Sequence, residues 1–316
     1  MSAIAFSPPT ARAARATPVR TVLKTIAVLL VLAIVTVVAT AFVRAAHRRA
    51  EMERLIADRA AYASRNFDDW VRAQLQLLQV LGTATLGQAD NPVALRRAAA
   101  AALGATRAWD SVSILDANGR ILAEAAPVPT AGPRRSPCPD ELARALRGDV
   151  VVCTPPGSEA APWDVAIVLT VAVAADAAAP TLVSAVVPFT RVQEQLASQG
   201  TPVTDAIESV VSDSGVVLAR IPDPLRWIGR RPTSSYLDRL GDRSAGVFRA
   251  STLDGREVVV AAHRSAVTGW TRNVAVGIED VPGWSTERGW VLARLAFLIA
   301  PLVVCLLGLR RLSDDA

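Results

Sequence analysis

Ser113-Ile-Leu-Asp-Ala-Asn-Gly-Arg-Ile-Leu-Ala123 and Ser209-Val-Val-Ser-Asp-Ser-Gly-Val-Val-Leu-Ala219 stand at a constant offset of 96 residues, with Ser, Gly, Leu and Ala at matching places. Each alternates β-forming residues, turns at a glycine and alternates back, which is the pattern of a hairpin. Upstream of the first, Asn91 and Pro92 open a helix that Gly104 closes. A side-chain cap and a proline in the first turn suit a helix start, and glycine suits its exit. Downstream come a Pro-rich loop (126–139), a short helix (139–147) and strands near 150–153, 164–173 and 182–189. The second hairpin is followed in the same order by an irregular stretch through Pro222 and Pro224, a short helix at 234–240, and strands at 246–252, 257–263 and 271–278. A repeated hairpin with a repeated sequel predicts two related α+β units in tandem.

The two ends of the chain read differently. Residues 25–43 are an uncharged run of about nineteen Val, Leu, Ile, Ala and similar residues. At ~1.5 Å rise per residue, a helix of that length nearly covers the ~30 Å apolar core of a bilayer. A cleaved leader is the rival, because Ala39-Thr40-Ala41 has the small residues of a cleavage site. The basic stretch before it is long, however, and the run exceeds the ~7–15 residues of a leader, so an uncleaved anchor is expected. Residues 290–309 are apolar except for Arg294, which can snorkel beside Trp290; Pro301 would kink such a helix without ending it. Two spans place both termini on one side. Six basic residues flank the spans on that side (Arg12, Arg15, Arg20, Lys24, Arg310, Arg311) and five on the other, a narrow margin for orientation. The net charge of +5 resides at the ends: residues 1–50 carry seven basic and no acidic side chains, residues 310–316 carry two of each, and the middle is left at −2. A slightly acidic body has no footprint for phosphate backbones, so no nucleic-acid partner is expected.

Between 48 and 81 a polar helix pattern continues from the first apolar run. Ile56, Ala63, Trp70 and Leu77 fall seven apart, and Ala60, Phe67 and Leu81 widen the same face. Such a helix can transmit displacement or rotation, or pair with a second copy to make a homodimer; a simple spacer with one face on the body is the blander reading. Cys305 lies in the second apolar run, where a thiol is a small apolar side chain. Cys138 and Cys153 remain. In an oxidising compartment they can pair and close a loop of about fifteen residues, worth roughly 3 kcal/mol; two unpaired structural cysteines are the alternative.

In this order the segments resemble the double Cache family of bacterial extracytoplasmic sensor domains. The stretches that carry the resemblance are Val210-Val-Ser-Asp-Ser-Gly-Val-Val-Leu-Ala-Arg-Ile-Pro-Asp-Pro224, Trp227-Ile-Gly-Arg230 and Gly269-Trp-Thr-Arg-Asn-Val-Ala-Val-Gly-Ile278. The resemblance implies an α+β fold of two PAS-like units on a long N-terminal helix, flanked by two transmembrane helices. The expected boundaries are a cytoplasmic N-terminus (1–24), a first span (25–43), a signalling helix (44–82), a membrane-distal unit (83–190), a membrane-proximal unit (191–288), a second span (289–309) and a short cytoplasmic tail (310–316). It further implies that a small molecule binds the distal unit and shifts the helices that cross the membrane. Two departures stand out. Amino-acid-binding members carry an arginine flanked by aromatics after the first hairpin, whereas here Arg134 and Arg135 lie among prolines and residues 83–190 contain no Tyr. That disfavours an amino-acid ligand. The family also usually continues into a kinase, cyclase or chemotaxis output, whereas this chain stops seven residues past the second span.

Catalytic constellations are absent from the sequence. Its two histidines, His47 and His263, are distant in sequence, and no glycine-rich phosphate loop, GxSxG elbow or CxxC is present. No enzyme, metal or cofactor is expected. Asp116, Asp213 and Asp254 read as turn formers. Ligand contacts are expected at Arg107, Trp109 and Asp110 entering the first hairpin, with Trp163 and Asp164 entering a returning strand, because indole faces with a guanidinium and carboxylates can clasp a small polar ligand. The competing reading puts the tryptophans in the core and the charges at the rim. Arg226, Trp227, Arg230, Arg231 and Tyr236 form a secondary candidate site for an anion, and cation–aromatic packing without a ligand is its alternative. Together these readings predict a two-pass protein of the bacterial inner membrane whose periplasmic body binds a small ligand and signals to a cytoplasmic kinase, cyclase or chemotaxis-type partner. A ligand-free envelope scaffold, or a truncated remnant of a sensor kinase or diguanylate cyclase, is the alternative.

Overall fold

The structure is a computed structural model and describes residues 13–88, 90–127, 138, 141–149, 151–153, 166–173, 180–199, 205–280, 296–297, 299–304, 306–307 and 310. The chain divides into a terminal part, Met1–Met52 with Glu279–Ala316, and a body, Glu53–Ile278. The first helix, α1 (Ala13–Thr85), contributes to both. In the terminal part many of its apolar side chains are exposed, Phe42 at 76%. Among the described residues it is the one helix long and apolar enough to cross a membrane. The described residues from 296 to 310 are helical, and the rest of the second expected span lies outside the described residues.

In the body, α1 buries a stripe of Ile56, Ala60, Ala63, Phe67, Val71, Leu75, Leu78 and Leu81. Here the heptad reading needs correction. Trp70 is only half-buried and Leu77 is exposed, because a straight helix drifts ~20° per seven residues and the stripe has passed to Val71 and Leu78. The helix also runs on to Thr85, past the expected end at residue 82.

Two sheets follow, both antiparallel and built alike. After α2 (Pro92–Ala105), whose cap Asn91 accepts a hydrogen bond from the Ala94 amide at 3.0 Å, come β1 (Ser111–Leu115) and β2 (Ile121–Ala125). Then follow α3 (Leu142–Leu146), β3 (Val151–Cys153), β4 (Ala166–Val173) and β5 (Thr181–Pro188). The second repeat has β6 (Ile207–Val211), β7 (Val217–Ile221), α5 (Pro224–Trp227), α6 (Ser234–Leu240), β8 (Ala245–Ser251), β9 (Glu257–Arg264) and β10 (Thr271–Gly277). Strand order is β2-β1-β5-β4-β3 in one sheet and β7-β6-β10-β9-β8 in the other, the same path walked twice. The first turn is built as its residues suggest: Asp116 Oδ1 accepts from the amides of Asn118 and Arg120, and Gly119 sits at φ +76, where a side chain is disfavoured. Between the repeats lies a helix absent from the sequence reading, α4 (Phe189–Ser198), which buries Phe189, Val192 and Leu196.

One continuous core joins the repeats along α1. It contains Phe67, Val71 and Leu78 of the helix, Ile114 and Ala185 of the first sheet, and Leu218, Ile228 and Trp270 of the second repeat. Phe67 and Trp270 meet ring to ring at 5.8 Å. A separate cluster covers the other face of the second sheet, where Tyr236 and Leu240 of α6 pack on Phe248, Val258 and Val260.

Candidate functional site

Strand residues alternate between faces, and in the second repeat the two faces have different tasks. Ile207, Ser209 and Val211 of β6, with Asn273 and Ala275 of β10, line a cavity that is partly open to solvent. Its far wall is α6, which presents Tyr236, and the turn before it, which presents Thr233; Val217 and Arg220 of β7, Val258 and Val260 of β9, and the stretch from Ala250 to Leu253 also contribute. The polar groups are held firmly. Tyr236 Oη donates to Asn273 Oδ1 at 2.8 Å, and Asn273 Nδ2 donates to Ser209 Oγ at 3.4 Å and to the Thr271 carbonyl at 3.3 Å. Thr233 Oγ1 donates to the Ser251 carbonyl at 2.7 Å and caps α6. Burial pushes the Tyr236 phenol well above its ordinary value, so it stays a neutral hydroxyl.

Arg220 supplies the charge. It is 6% exposed, its Nε has no partner, and its Nη2 reaches Asp254 Oδ1 at a long 3.5 Å. Burial lowers its proton affinity and the nearby Asp254 carboxylate opposes the fall. Its guanidinium lies 4.7 Å from the Trp227 ring centre, and those of Arg226 and Arg230 lie at 4.6 and 5.7 Å from the same ring.

The opposite face of the same two strands grips α1. Glu208 of β6 accepts from Arg59 at 3.3 Å and from Arg272 of β10 at 3.0 Å, and Glu208 and Arg272 are each about 98% buried. Gln199 adds its carbonyl to Arg59 and its side-chain oxygen to Arg272, each at 3.1 Å. Burial pulls the Arg272 guanidinium down to about 10, with Glu208 resisting, so it remains charged at neutral pH. Farther along α1, Asp68 accepts a hydrogen bond from the Ser265 hydroxyl.

The residues singled out from sequence are distributed as follows. Trp109 is in the main core with its indole Nε1 unpartnered, while Arg107 and Asp110 are exposed. Trp163 and Asp164 lie outside the described residues. Arg226, Trp227 and Arg230 come together, Tyr236 lines the cavity instead, and Arg231 is exposed. Cys138 and Cys153 form a disulfide. Sequence reasoning missed Arg220, Asn273 and the Arg59–Glu208–Arg272 cluster. The available signal was a charge or amide inside an otherwise apolar strand: Arg220 in Val217–Ile221, and Arg272 with Asn273 in Thr271–Gly277.

This fold is that of the extracellular sensory domains of histidine kinases and chemoreceptors, the double Cache type. Three solved structures illustrate the likeness. The extracellular domain of the putative histidine kinase rpHK1S-Z16 matches at 18% identity and TM-score 0.55, over 76% of this chain and 98% of its own. The ligand-binding domain of the Pseudomonas aeruginosa PAO1 amino acid chemoreceptor PctB, in complex with L-Arg, matches at 14% identity and TM-score 0.57, over 73% and 97%. That of the Campylobacter jejuni chemoreceptor Tlp3, in complex with L-valine, matches at 14% identity and TM-score 0.53, over 74% and 96%. These are sensory domains and not enzymes, and at such identities the likeness is one of fold. No protein-family model and no curated protein sequence matches the chain.

Proposed function

We propose that the chain is a non-enzymatic, membrane-anchored sensor module whose body, outside the cytoplasm, binds a small ligand and signals through α1 to a cytoplasmic output partner. In this reading 1–24 and 310–316 are cytoplasmic, 25–43 and 289–309 span the inner membrane, 44–82 is the signalling helix, and 83–190 and 191–288 are the two sensory units. One observation carries it. β6 and β10 wall a cavity with one face and hold α1 through Glu208 and Arg272 with the other. A ligand that prefers one spacing of these strands would therefore favour one seating of α1, and that differential affinity is what coupling requires.

A second ligand place, in the first repeat, is favoured by one feature. Ser113, Ser184 and Thr170 stand opposite one another across β1, β5 and β4 and are all buried, in the row that Ser209 and Asn273 occupy in the second sheet. The contacts proposed from the sequence for the first repeat are Arg107, Trp109, Asp110, Trp163 and Asp164, of which Trp109 packs in the main core, on the strand face away from this row.

The test is a thermal-shift screen of small metabolites on the full chain in nanodiscs, with Ala275→Leu as the variant that fills the second-repeat cavity. At least one compound is expected to raise the Tm of the wild type and not that of the variant. A screen in which every stabilising compound acts equally on both would remove the cavity from the mechanism.

A further inference from the structure

Arg220 is the one charged side chain among the described residues that line the second-repeat cavity. Its charge is poorly answered from within the protein. A charge-assisted N–H···O bond is ordinarily about 2.7–2.9 Å long, whereas its bond to Asp254 is 3.5 Å, and its buried Nε has no acceptor. Arg226 and Arg230 crowd the same Trp227 ring, so three guanidiniums gather around one indole. Asp223 and Asp254 are the carboxylates that act on Arg220 there. A buried cation with an open donor, in a locally positive setting, calls for an anionic oxygen.

The rest of the wall limits what the anion can be attached to. Val217, Val258, Val260, Ile207 and Ala275 make the lining largely aliphatic. A second anionic group on the ligand would lie against these side chains without a second cation. An α-ammonium group would likewise find no Asp or Glu among the described lining residues, and would share the cavity with the Arg220 guanidinium. Tyr236 and Asn273, already bonded to each other, offer neutral hydrogen-bonding groups only.

Resting on the sensor reading above, we infer that this cavity binds a small aliphatic monocarboxylate, its carboxylate on the Arg220 guanidinium and its hydrocarbon body against Val217, Val258 and Val260. The Trp227 ring holds Arg220 by cation–π contact and Arg226 and Arg230 supply attraction at longer range. The site therefore discriminates a plain carboxylic acid from the amino acid of the same skeleton.

Three probes of one skeleton test this by titration calorimetry on the full chain in nanodiscs: 3-methylbutanoate, 3-methylbutanamide and L-valine. The acid is expected to bind, and the amide and L-valine to bind at least ~10-fold more weakly, since a hydrogen bond to a charged group is worth about 1.5–3 kcal/mol. Arg220→Met is expected to weaken the acid by ~10- to 100-fold. The comparison of acid with amide on the wild type needs no variant and so holds even if Arg220→Met misfolds. Equal or tighter binding of the amide or of L-valine overturns the inference, as does binding of none of the three. If the acid binds Ala275→Leu as well as wild type, the cavity itself is the wrong place. If instead some other compound stabilises wild type but not Ala275→Leu while all three probes fail, sensing at this cavity stands and the carboxylate class falls.

Discussion

Asp68 is a buried acid on α1 with one good donor, the Ser265 hydroxyl, which itself accepts from the amides of Val267 and Thr268. Burial raises its proton affinity, while the Ser265 hydrogen bond, Arg72 and His263 pull it back and Asp69 adds to the rise. A folded value above the unfolded one means that the folded state holds the proton more tightly. The stabilisation from protonation is then complete below the unfolded value near 3.8 and is lost as pH climbs through the folded one. Asp68→Asn removes the charge and keeps an acceptor for Ser265. Its Tm is expected to equal or exceed that of wild type at about pH 7.5, with the difference shrinking toward about pH 4.5; a difference that grows on acidification would contradict the argument. Glu208 is the opposite case, since it answers two buried guanidiniums and Arg272 already has Nε and Nη1 unpartnered. Glu208→Gln should cost ~3–5 kcal/mol of unfolding free energy by leaving buried charge uncompensated. A loss below about 1 kcal/mol would mean that water or motion supplies what the carboxylate did. Neither residue is conspicuous in sequence. An acid on a polar helix and an acid near a strand start look like surface charges until the partners at Ser265 and Arg272, remote along the chain, are known.

Elements were far more legible than these partners. The two hairpins follow from alternation and glycine turns, and α2 follows from Asn91 and Pro92, because all of that information is local. α4 escaped because Arg191, Gln193, Glu194 and Gln195 dilute a ten-residue helix, although Phe189, Val192 and Leu196 keep helical spacing. Gly104 reads as a helix closer and residue 82 as the end of the signalling helix, and neither glycine ends its helix, but for different reasons. A Cβ at Gly82 would overlap Val173 Cγ2 and lie 3.1 Å from Val183 Cγ2, so the glycine lets α1 approach the first sheet. A Cβ at Gly104 would meet nothing within 4 Å. Gly104→Ala should therefore raise stability by ~0.5–1 kcal/mol through helix propensity alone. Gly82→Ala should lower it by ~1–3 kcal/mol despite the same gain in propensity. Thermal unfolding of both variants side by side checks this, and a shift of the same sign in the two would show that α1 can back away from the sheet at little cost.

For the whole molecule, the duplication of the unit was readable from one offset of 96 residues, whereas orientation was not, because six basic residues against five decide little. The Cys138–Cys153 disulfide is the stronger argument. Disulfides persist where thiols are not continually reduced, and closing the fifteen-residue separation between these two is worth roughly 3 kcal/mol. A body placed outside the cytoplasm should keep both cysteines oxidised; the same body in the cytosol would present them as thiols. In a Cys305→Ala background only this pair can report. Intact cells treated with a membrane-impermeant maleimide should leave the protein unlabelled, and brief treatment with an impermeant reductant beforehand should add two labels. Labelling that needs no reductant but does need lysis would put the body in the cytosol. In that case a ligand reaching the Arg220 cavity would come from metabolism inside the cell, and α1 would have no bilayer to signal across.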